Sequence, residues 1–402
     1  MAADVASPVS YLTKNLGKPG NNLVAAVHKV ATLTKTSPRS VAYNLFRNAL
    51  RKGRLPPQDY FGYGLWRPEL TAADRAAYVS SIQIRRLIKT LIATGFHDAS
   101  SLMNDKYSCG LVLTANGFDN PQPIAAFSPD RAFGRLRTLT SPAELASYFA
   151  DPNRPAVFGK PVNGSRSLGA TPVLAVLPGA TEVGLGQGRY APIAALAQEI
   201  ALAYPRGWLM QELMVQPDDV TDLIGFTIGS VRLVTLWQKD GPEPLYAVWR
   251  IAAKGSVVDA VTAGPRVIAK VDLTTGVVVH ARTGTLLVGR IVGHTPSNPD
   301  RPLIGYQIPD WEKAVGLCHD AHRLFPGHAI LGWDIALSDR GPLIQEINAH
   351  PLQDIYHLSH DRGFCSPDFL ARFATAKQLL DARIAGYGKP VRQAEDEKTS
   401  KI

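Results

Sequence analysis

The sequence predicts a mixed α+β fold. Three observations lead there: short apolar runs alternate with helical ones beyond Gly95, the connections are rich in turn residues, and the stretch before Gly95 shows only helical spacing. At 402 residues the chain can hold two or three domains of roughly 100–200 residues each. Its 45% hydrophobic and 19% charged content is that of a globular protein, which excludes general disorder. No run approaches the roughly 18–20 consecutive apolar residues of a membrane span. The start, Met1-Ala-Ala-Asp-Val, also lacks the basic opening and apolar run of a secretory signal. Cys109, Cys318 and Cys365 lie far apart and are odd in number. That excludes a disulfide framework and a CxxC zinc site, and favours a reducing, cytoplasmic setting.

Residues 1–20 carry Ser, Gly, Pro and Lys without periodicity and read as a loose arm. From Asn22 to about Ile92 the apolar residues recur at helical steps, first Leu23, Val24, Val27, Val30 and Ala31, later Ile84, Leu87, Ile88 and Leu91. Gly53-Arg-Leu-Pro-Pro separates the two pieces. Beyond Gly95 come apolar runs at Tyr107–Leu113 and Pro123–Phe127, a helix over Ser141–Phe149 and a strand over Ala156–Pro161. An Ala- and Leu-rich helix, Tyr190–Tyr204, ends at Pro205. Strands follow over Trp208–Leu213, Val231–Trp237, Leu245–Ile251, Arg266–Asp272 and Val277–His280. A helix over Trp311–Leu324 precedes a last pair of strands, and a final helix spans Asp368–Ile384. The 43 Lys and Arg against 34 Asp and Glu give a net charge of +9, densest over Lys35–Arg54, with Arg85, Arg86 and Lys89 further on. A solvated helical face or a surface meeting anionic partners accounts for this clustering, and nucleic acid is not an expected partner.

The most informative segment is Gly332-Trp-Asp-Ile-Ala-Leu-Ser-Asp-Arg-Gly-Pro-Leu-Ile-Gln-Glu-Ile-Asn348. Two apolar-alternating runs flank Ser338-Asp-Arg-Gly341, a turn composition, so the segment reads as a β-hairpin. If Leu337 faces Leu343, Asp334 lies directly opposite Glu346, with Asn348 two residues on and on the same face. Like charges opposed on a sheet destabilise it. Asp334, Glu346 and Asn348 together make a hard oxygen set suited to Mg²⁺. The alternative is that the two acids face solvent or pair with arginines. The spacings His319/His322 and His357/His360 are weak transition-metal signals, and a structural or substrate-contacting role is expected instead.

Upstream, Val157-Phe-Gly-Lys160-Pro-Val-Asn-Gly-Ser165-Arg-Ser-Leu-Gly169 is an apolar strand with one inward lysine, followed by a loop whose backbone N–H groups can approach phosphate. It lacks Walker A spacing and is not a P-loop. Gly184-Leu-Gly-Gln-Gly188 lacks the third glycine of a dinucleotide fingerprint and reads as a turn. Trp208-Leu-Met-Gln-Glu-Leu213 is an apolar strand with a polar end, able to offer an apolar slot to an adenine and an acid to a ribose, or to be an ordinary edge strand.

Taken in order, these pieces resemble the ATP-grasp superfamily, most closely the sugar-transfer-associated ATP-grasp family, from about Tyr60 to Lys377. Asn104-Asp-Lys106 resembles the opening of the nucleotide region, Phe158-Gly-Lys160-Pro with its loop the second phosphate lysine and lid, and Gln211-Glu212-Leu213 the adenine hinge. Ser230-Val-Arg232-Leu-Val-Thr235 and Val248-Trp-Arg250 resemble the arginine strands, and Asp334 with Glu346-Ile-Asn348 the metal-binding set. The resemblance implies an ATP-grasp fold, two α+β subdomains gripping ATP, behind a helical N-terminal region. It divides the chain into a helical region 1–94, a small α/β linker subdomain 95–155, an N-subdomain 156–225 with lid and hinge, a C-subdomain 226–388 with the metal site, and a charged tail 389–402.

The chemistry it implies uses ATP and Mg²⁺ to activate a small-molecule carboxylate as an acyl phosphate, which an amine then converts to an amide, with ADP and phosphate released. The substrates are expected to be saccharide- or peptide-linked. Lys106, Lys160, Ser165, Gln211, Glu212 and Leu213 would hold the nucleotide, Asp334, Glu346 and Asn348 the metal, and Arg232 and Arg250 the transferring phosphoryl group. The chain departs from the family pattern at Gly229-Ser230, Asp259-Ala260 and Gly264-Pro265, all toward the substrate side. A kinase acting on a hydroxyl, or a non-catalytic nucleotide-binding module, are the alternative functions.

Overall fold

The structure is a computed structural model that describes residues 10–12, 22–50, 55–164, 167–258, 266–283, 288–351 and 353–387. The expected arm before residue 10, Ser165, the departures at Asp259-Ala260 and Gly264-Pro265, and the charged tail fall outside the described residues. Among the described residues the chain opens with helices α1 (Leu23–Thr34), α2 (Pro38–Ala49), α3 (Pro57–Gly62), α4 (Ala72–Ala77) and α5 (Ser81–Thr90). Their starts follow from local chemistry. The Ser37 hydroxyl accepts the Ser40 N–H at 3.1 Å ahead of Pro38, and reciprocal caps join Thr71 to Asp74 and Ser80 to Gln83.

Next come α6 (Ser100–Asn104) and α7 (Lys106–Ala115). The apolar run Tyr107–Leu113, grouped above with strand-like runs, is therefore helical. Asp105 decides this by capping the helix, its carboxylate accepting the Ser108 N–H at 2.8 Å, so that Cys109 and Leu113 turn inward four residues apart. The first sheet follows: β1 (Pro123–Phe127), β2 (Arg137–Leu139), α8 (Pro142–Ala150), β3 (Val157–Pro161), β4 (Thr171–Val173), a ribbon β5 (Glu182–Gly184) and β6 (Tyr190–Pro192), α9 (Ile193–Ala203) and β7 (Trp208–Glu212). Tyr190 thus begins a short strand, and the helix expected there starts at Ile193. The sheet order is β2-β1-β7-β3-β4. Strands from both sides of the expected boundary at 155 share it, so that boundary cuts through one layer. Leu145, Phe149, Leu196 and Ile200 cover one face, packing on Phe127, Val157, Trp208 and Met210.

After α10 (Asp218–Ile224), β8 (Ser230–Gln238), β9 (Gly241–Ile251), β10 (Val267–Val271) and β11 (Val278–Thr283) run in series. They are followed by α11 (Trp311–His322), β12 (Ile330–Ser338), β13 (Gly341–Asn348), α12 (Asp354–His360) and α13 (Pro367–Tyr387). The second sheet has the order β11-β10-β9-β8-β12-β13. One face is apolar: Leu233, Ala247, Trp249, Ala269, Trp333 and Ile335 pack with Ala314, Cys318 and Ala321 of α11. The opposite face is divided. Val234, Tyr246, Val248 and Ile268 lie under the N-terminal helices and α12–α13, in one cluster with Phe61, Ile84, Phe364 and Phe373. The rest of that face carries charge.

A buried polar chain fixes α11 to this sheet. Trp333 Nε1 donates to Thr235 Oγ1 at 2.7 Å, Thr235 Oγ1 meets His322 Nδ1 at 2.7 Å, and His322 Nε2 meets the His328 carbonyl at 2.8 Å. The carbonyl can only accept, so Nε2 carries the proton and Nδ1 accepts from the threonine. Burial pulls the His322 pKa down to about 3, keeping the ring neutral, and its spacing to His319 reflects this structural role. Thr235→Val should strand both the indole and the imidazole and lower unfolding free energy by about 1–3 kcal/mol for each stranded group. Urea denaturation measures it, and an unchanged midpoint would contradict the network.

Candidate functional site

Alternation along Ser230-Val-Arg232-Leu-Val puts Val231 and Leu233 in the core and Ser230 and Arg232 on the other face. The same period places Val248 and Arg250 on that face of β9. Pairing then lines up one row across neighbouring strands: Val248 beside Arg232, Arg232 beside Asp334, Asp334 beside Glu346. Gly332 pairs with Asn348 in the adjoining row. Arg232 and Asp334 are 4% and 5% exposed, so their charges must answer each other. Arg232 Nε donates to Asp334 Oδ1, its second nitrogen reaches Oδ2 at 3.0 Å, and Arg250 reaches Oδ2 at 3.0 Å. Ser230 steadies Arg250, accepting from its Nε at 3.1 Å. The Gly229 departure has a steric reason. A Cβ there would sit 2.5 Å from Ile224 Cδ1 and 3.0 Å from Trp249 Nε1.

Asp334 faces Glu346 as the hairpin reading expects, but by another route. Leu337 pairs with Pro342 and Ala336 with Leu343, one step off the expected register at the turn. The register shifts between Asp334 and Ile335, where Ile335 pairs with Ile344, leaving Gln345 as an extra residue. This β-bulge restores the Asp334–Glu346 pairing. Without it Glu346 would oppose Trp333 and point into the apolar core.

The first sheet and helix α7 each supply a lysine. Lys160 pairs with Leu209 on the face away from α8 and α9. Lys106, at the start of α7, donates to the Gly164 carbonyl at 2.8 Å and stands 3.9 Å from Glu346 Oε1. Burial, with Lys106 adding repulsion, lowers the Lys160 pKa to about 8, while Glu346 and Asp334 act in the opposite direction. Between the two sheets lies a narrow cleft lined by Lys106, Cys109, Gln211 and Glu346 among others. Gln211 reaches it from β7, but its amide donates to the Pro121 carbonyl at 2.9 Å, which makes it a brace for the wall. Glu212 accepts the Gln122 N–H at 3.1 Å and pairs with Arg340 at 2.5 Å, latching the β12–β13 turn to β7. Leu213 is 37% exposed beside it. The roles of Ser230 and Arg340 were missed in the sequence. For Ser230 the signal was its place two residues before Arg232 on one strand face.

Burial raises the pKa of Asp334, but Arg232 and Arg250 together hold the carboxyl well below the usual carboxylate range. The Asp334 oxygens are therefore engaged by arginines, the alternative left open for the hairpin acids. Glu346 is only loosely approached by Lys106, and Asn348 Nδ2 is buried without a partner. Turning the Asn348 carboxamide over would put its oxygen in that unpartnered place. A carboxylate and an amide oxygen fit a hard divalent ion, and Asp334 could join them only by giving up an arginine contact. Among the described residues no group of three or more His, Cys, Asp or Glu is arranged to hold a metal. Burial raises the pKa of all three cysteine thiols, Cys109 to about 12 with Glu346 adding to the push, so none is a ready nucleophile. His357 packs against Tyr63 and Tyr78 at 4.6 and 5.0 Å between ring centres, and burial lowers its pKa to about 3.

The ion pair gives a stability prediction with a definite sign. A carboxylate whose folded pKa is depressed contributes stability above its unfolded value of about 3.9 and loses it as pH falls through the folded value. The wild type should therefore lose stability on acidification below about pH 4, and Asp334→Asn should flatten that part of the profile. At pH 7 the substitution strands two guanidinium groups and should cost about 3–5 kcal/mol. Thermal unfolding across pH checks both, and parallel profiles for the two proteins would contradict the assignment.

Residues 201–367 match the family described as sugar-transfer associated ATP-grasp. No protein of curated function matches the chain. Solved structures with some likeness include the D-alanine-D-alanine ligase from Coxiella burnetii, at 11% identity and TM-score 0.38, covering 72% of this chain and 62% of that one. The D-Alanine-D-Alanine Ligase from Helicobacter pylori stands at 15% identity and TM-score 0.40, with 72% and 64% covered. The ATP-grasp ligase PsnB complexed with minimal precursor stands at 15% and 0.34, with 69% and 61% covered. The matches thus span less than two thirds of each of these three proteins, and likenesses this distant decide nothing about activity. The segment 201–367, which carries Arg232, Arg250 and the Asp334–Glu346 pair, is thus the part of the chain that is similar to the sugar-transfer-associated ATP-grasp family.

Proposed function

We propose that the protein is an ATP-dependent carboxylate–amine ligase working through an acyl phosphate. One observation carries the reading: Lys106 from α7, Lys160 from the first sheet, and Arg232 and Arg250 from the second gather around Asp334 and Glu346, beside the cleft that Lys106 and Glu346 line. Four cations against two carboxylates leave an excess of positive charge that a polyphosphate would satisfy. The absence of a ready cysteine nucleophile fits a reaction in which the substrate itself attacks. In this scheme Lys106 and Lys160 neutralise the phosphates nearer the nucleoside, and Arg250, steadied by Ser230, faces the group in transfer. A substrate carboxylate oxygen forms a bond to the γ-phosphorus as the bond to ADP breaks. An amine nitrogen then bonds to the acyl carbon, inorganic phosphate leaves, and the amine proton passes to phosphate or solvent. Fixed cations act most strongly on the charge that develops in these steps. Glu346 and Asn348, with Asp334 once an arginine lets go, would hold a magnesium ion, which would supply further neutralisation of phosphate charge. The substrates on this reading are a carboxylate and an amine carried on saccharides or peptides, as the family resemblance implies.

Purified protein given MgATP and panels of acids and amines should form ADP only when both partners are present, with a product mass equal to their condensation. A phosphorylated alcohol formed without an amine would overturn ligation in favour of a kinase. Glu346→Gln should lower ADP formation by about 100-fold or more with little change in melting temperature. Lys160→Ala should weaken ATP binding by calorimetry about tenfold or more, and unchanged affinity would remove Lys160 from the site.

A further inference from the structure

We propose that the outer face of α2 is a docking surface for an anionic lipid bilayer, independent of the cleft. Helix α2 is apolar on two opposite sides. Val41 is buried and Leu45 half-buried against the rest of the N-terminal unit. With 3.6 residues per turn, Tyr43, Phe46 and Leu50 continue along the other side. They are 61%, 59% and 65% exposed, and a contiguous exposed stripe of this kind marks an interaction site. Arg39 and Arg47 share that side and are themselves exposed, and the Arg47 guanidinium lies 5.9 Å from the Tyr43 ring centre.

The charge around the stripe names the partner. Between Val5 and Gln58 the sequence has nine Lys and Arg and no Asp or Glu, matching the net charge of the entire chain, +9. The run Arg51-Lys52-Gly53-Arg54 follows directly after the stripe in sequence. Aromatic and aliphatic side chains bracketed by arginines, on a strongly basic background, suit the boundary between acidic headgroups and acyl chains. The rings and Leu50 would enter the boundary while the arginine stems lie along it with their heads on phosphates. A second copy is disfavoured, since two such faces repel one another. A nucleic-acid backbone would leave Leu50 without a partner.

The test uses the full chain with sedimenting vesicles of neutral phosphatidylcholine, or of the same lipid with about one third phosphatidylglycerol. The bound fraction at low salt should be at least about fivefold higher on the anionic vesicles and fall as salt rises. The triple variant Tyr43→Ser, Phe46→Ser, Leu50→Ser and the double variant Arg39→Glu, Arg47→Glu should each lose most of that binding. All five positions are exposed, so melting temperatures should stay close to wild type. Equal binding to both vesicle types, no binding at all, or a triple variant that binds like wild type would overturn the proposal. So would tighter binding to RNA than to vesicles, or a wild-type dimer by light scattering that the triple variant abolishes.

Discussion

Asp334 between Arg232 and Arg250 is the interaction on which the charged face depends. A buried carboxylate with one cation is close to neutral overall, and replacing such a pair with hydrophobic residues often costs little. Here a second guanidinium shares the same acid, so the cluster keeps one positive charge at the edge of a cleft. Two lysines from the opposite layer add to it. The arrangement is stable enough to fold, because Asp334 answers both arginines, and still short of anions. The shortfall is where a polyanion would gain most, since desolvated cations held by packing need no rearrangement to receive it.

Packing sets this up from a distance. Trp333 and Ile335 on either side of Asp334, and Leu233 and Val231 beside Arg232, lock their strands into the apolar layer over α11. Their alternation then dictates that the charged residues leave the core together. The N-terminal helices cover Val234, Tyr246 and Val248 on the same face, burying one end of it and leaving the other to the cleft. Glu212, tied to Arg340, joins the far end of β7 to the turn of the second sheet, so the walls are braced where the chain crosses between them.

Much of this was legible in the sequence because it depends on periods of two and on turn composition. The strands over 231–237, 245–251 and 266–272 and the hairpin after Gly332 fall within a few residues of their expected bounds. What escaped depends on partners remote in the chain. Arg232 and Asp334 are 102 residues apart, and nothing local says that β8 lies beside β12. The run Tyr107–Leu113 was ambiguous because a short apolar segment fits either period, and a single capping acid settled it. Gln211 was expected as an adenine contact, and its amide donates to Pro121, 90 positions away in the chain, a bond that no spacing rule foresees.

The extra residue at Gln345 carries a last implication, about which sequence changes this hairpin tolerates. Side chains on a ribbon obey an even–odd rule, and Gln345 resets the count once between the turn and Glu346. Lengthening the loop at Asp339-Arg340 leaves that count intact, and losing Gln345 itself would turn the bulge into a regular ladder in which the acid follows Ile344 directly and still lies opposite Asp334. Related chains should therefore vary in turn length and reach the acid from Ile344 either through such a bulge or by plain alternation, with the acid opposite Asp334 in both cases.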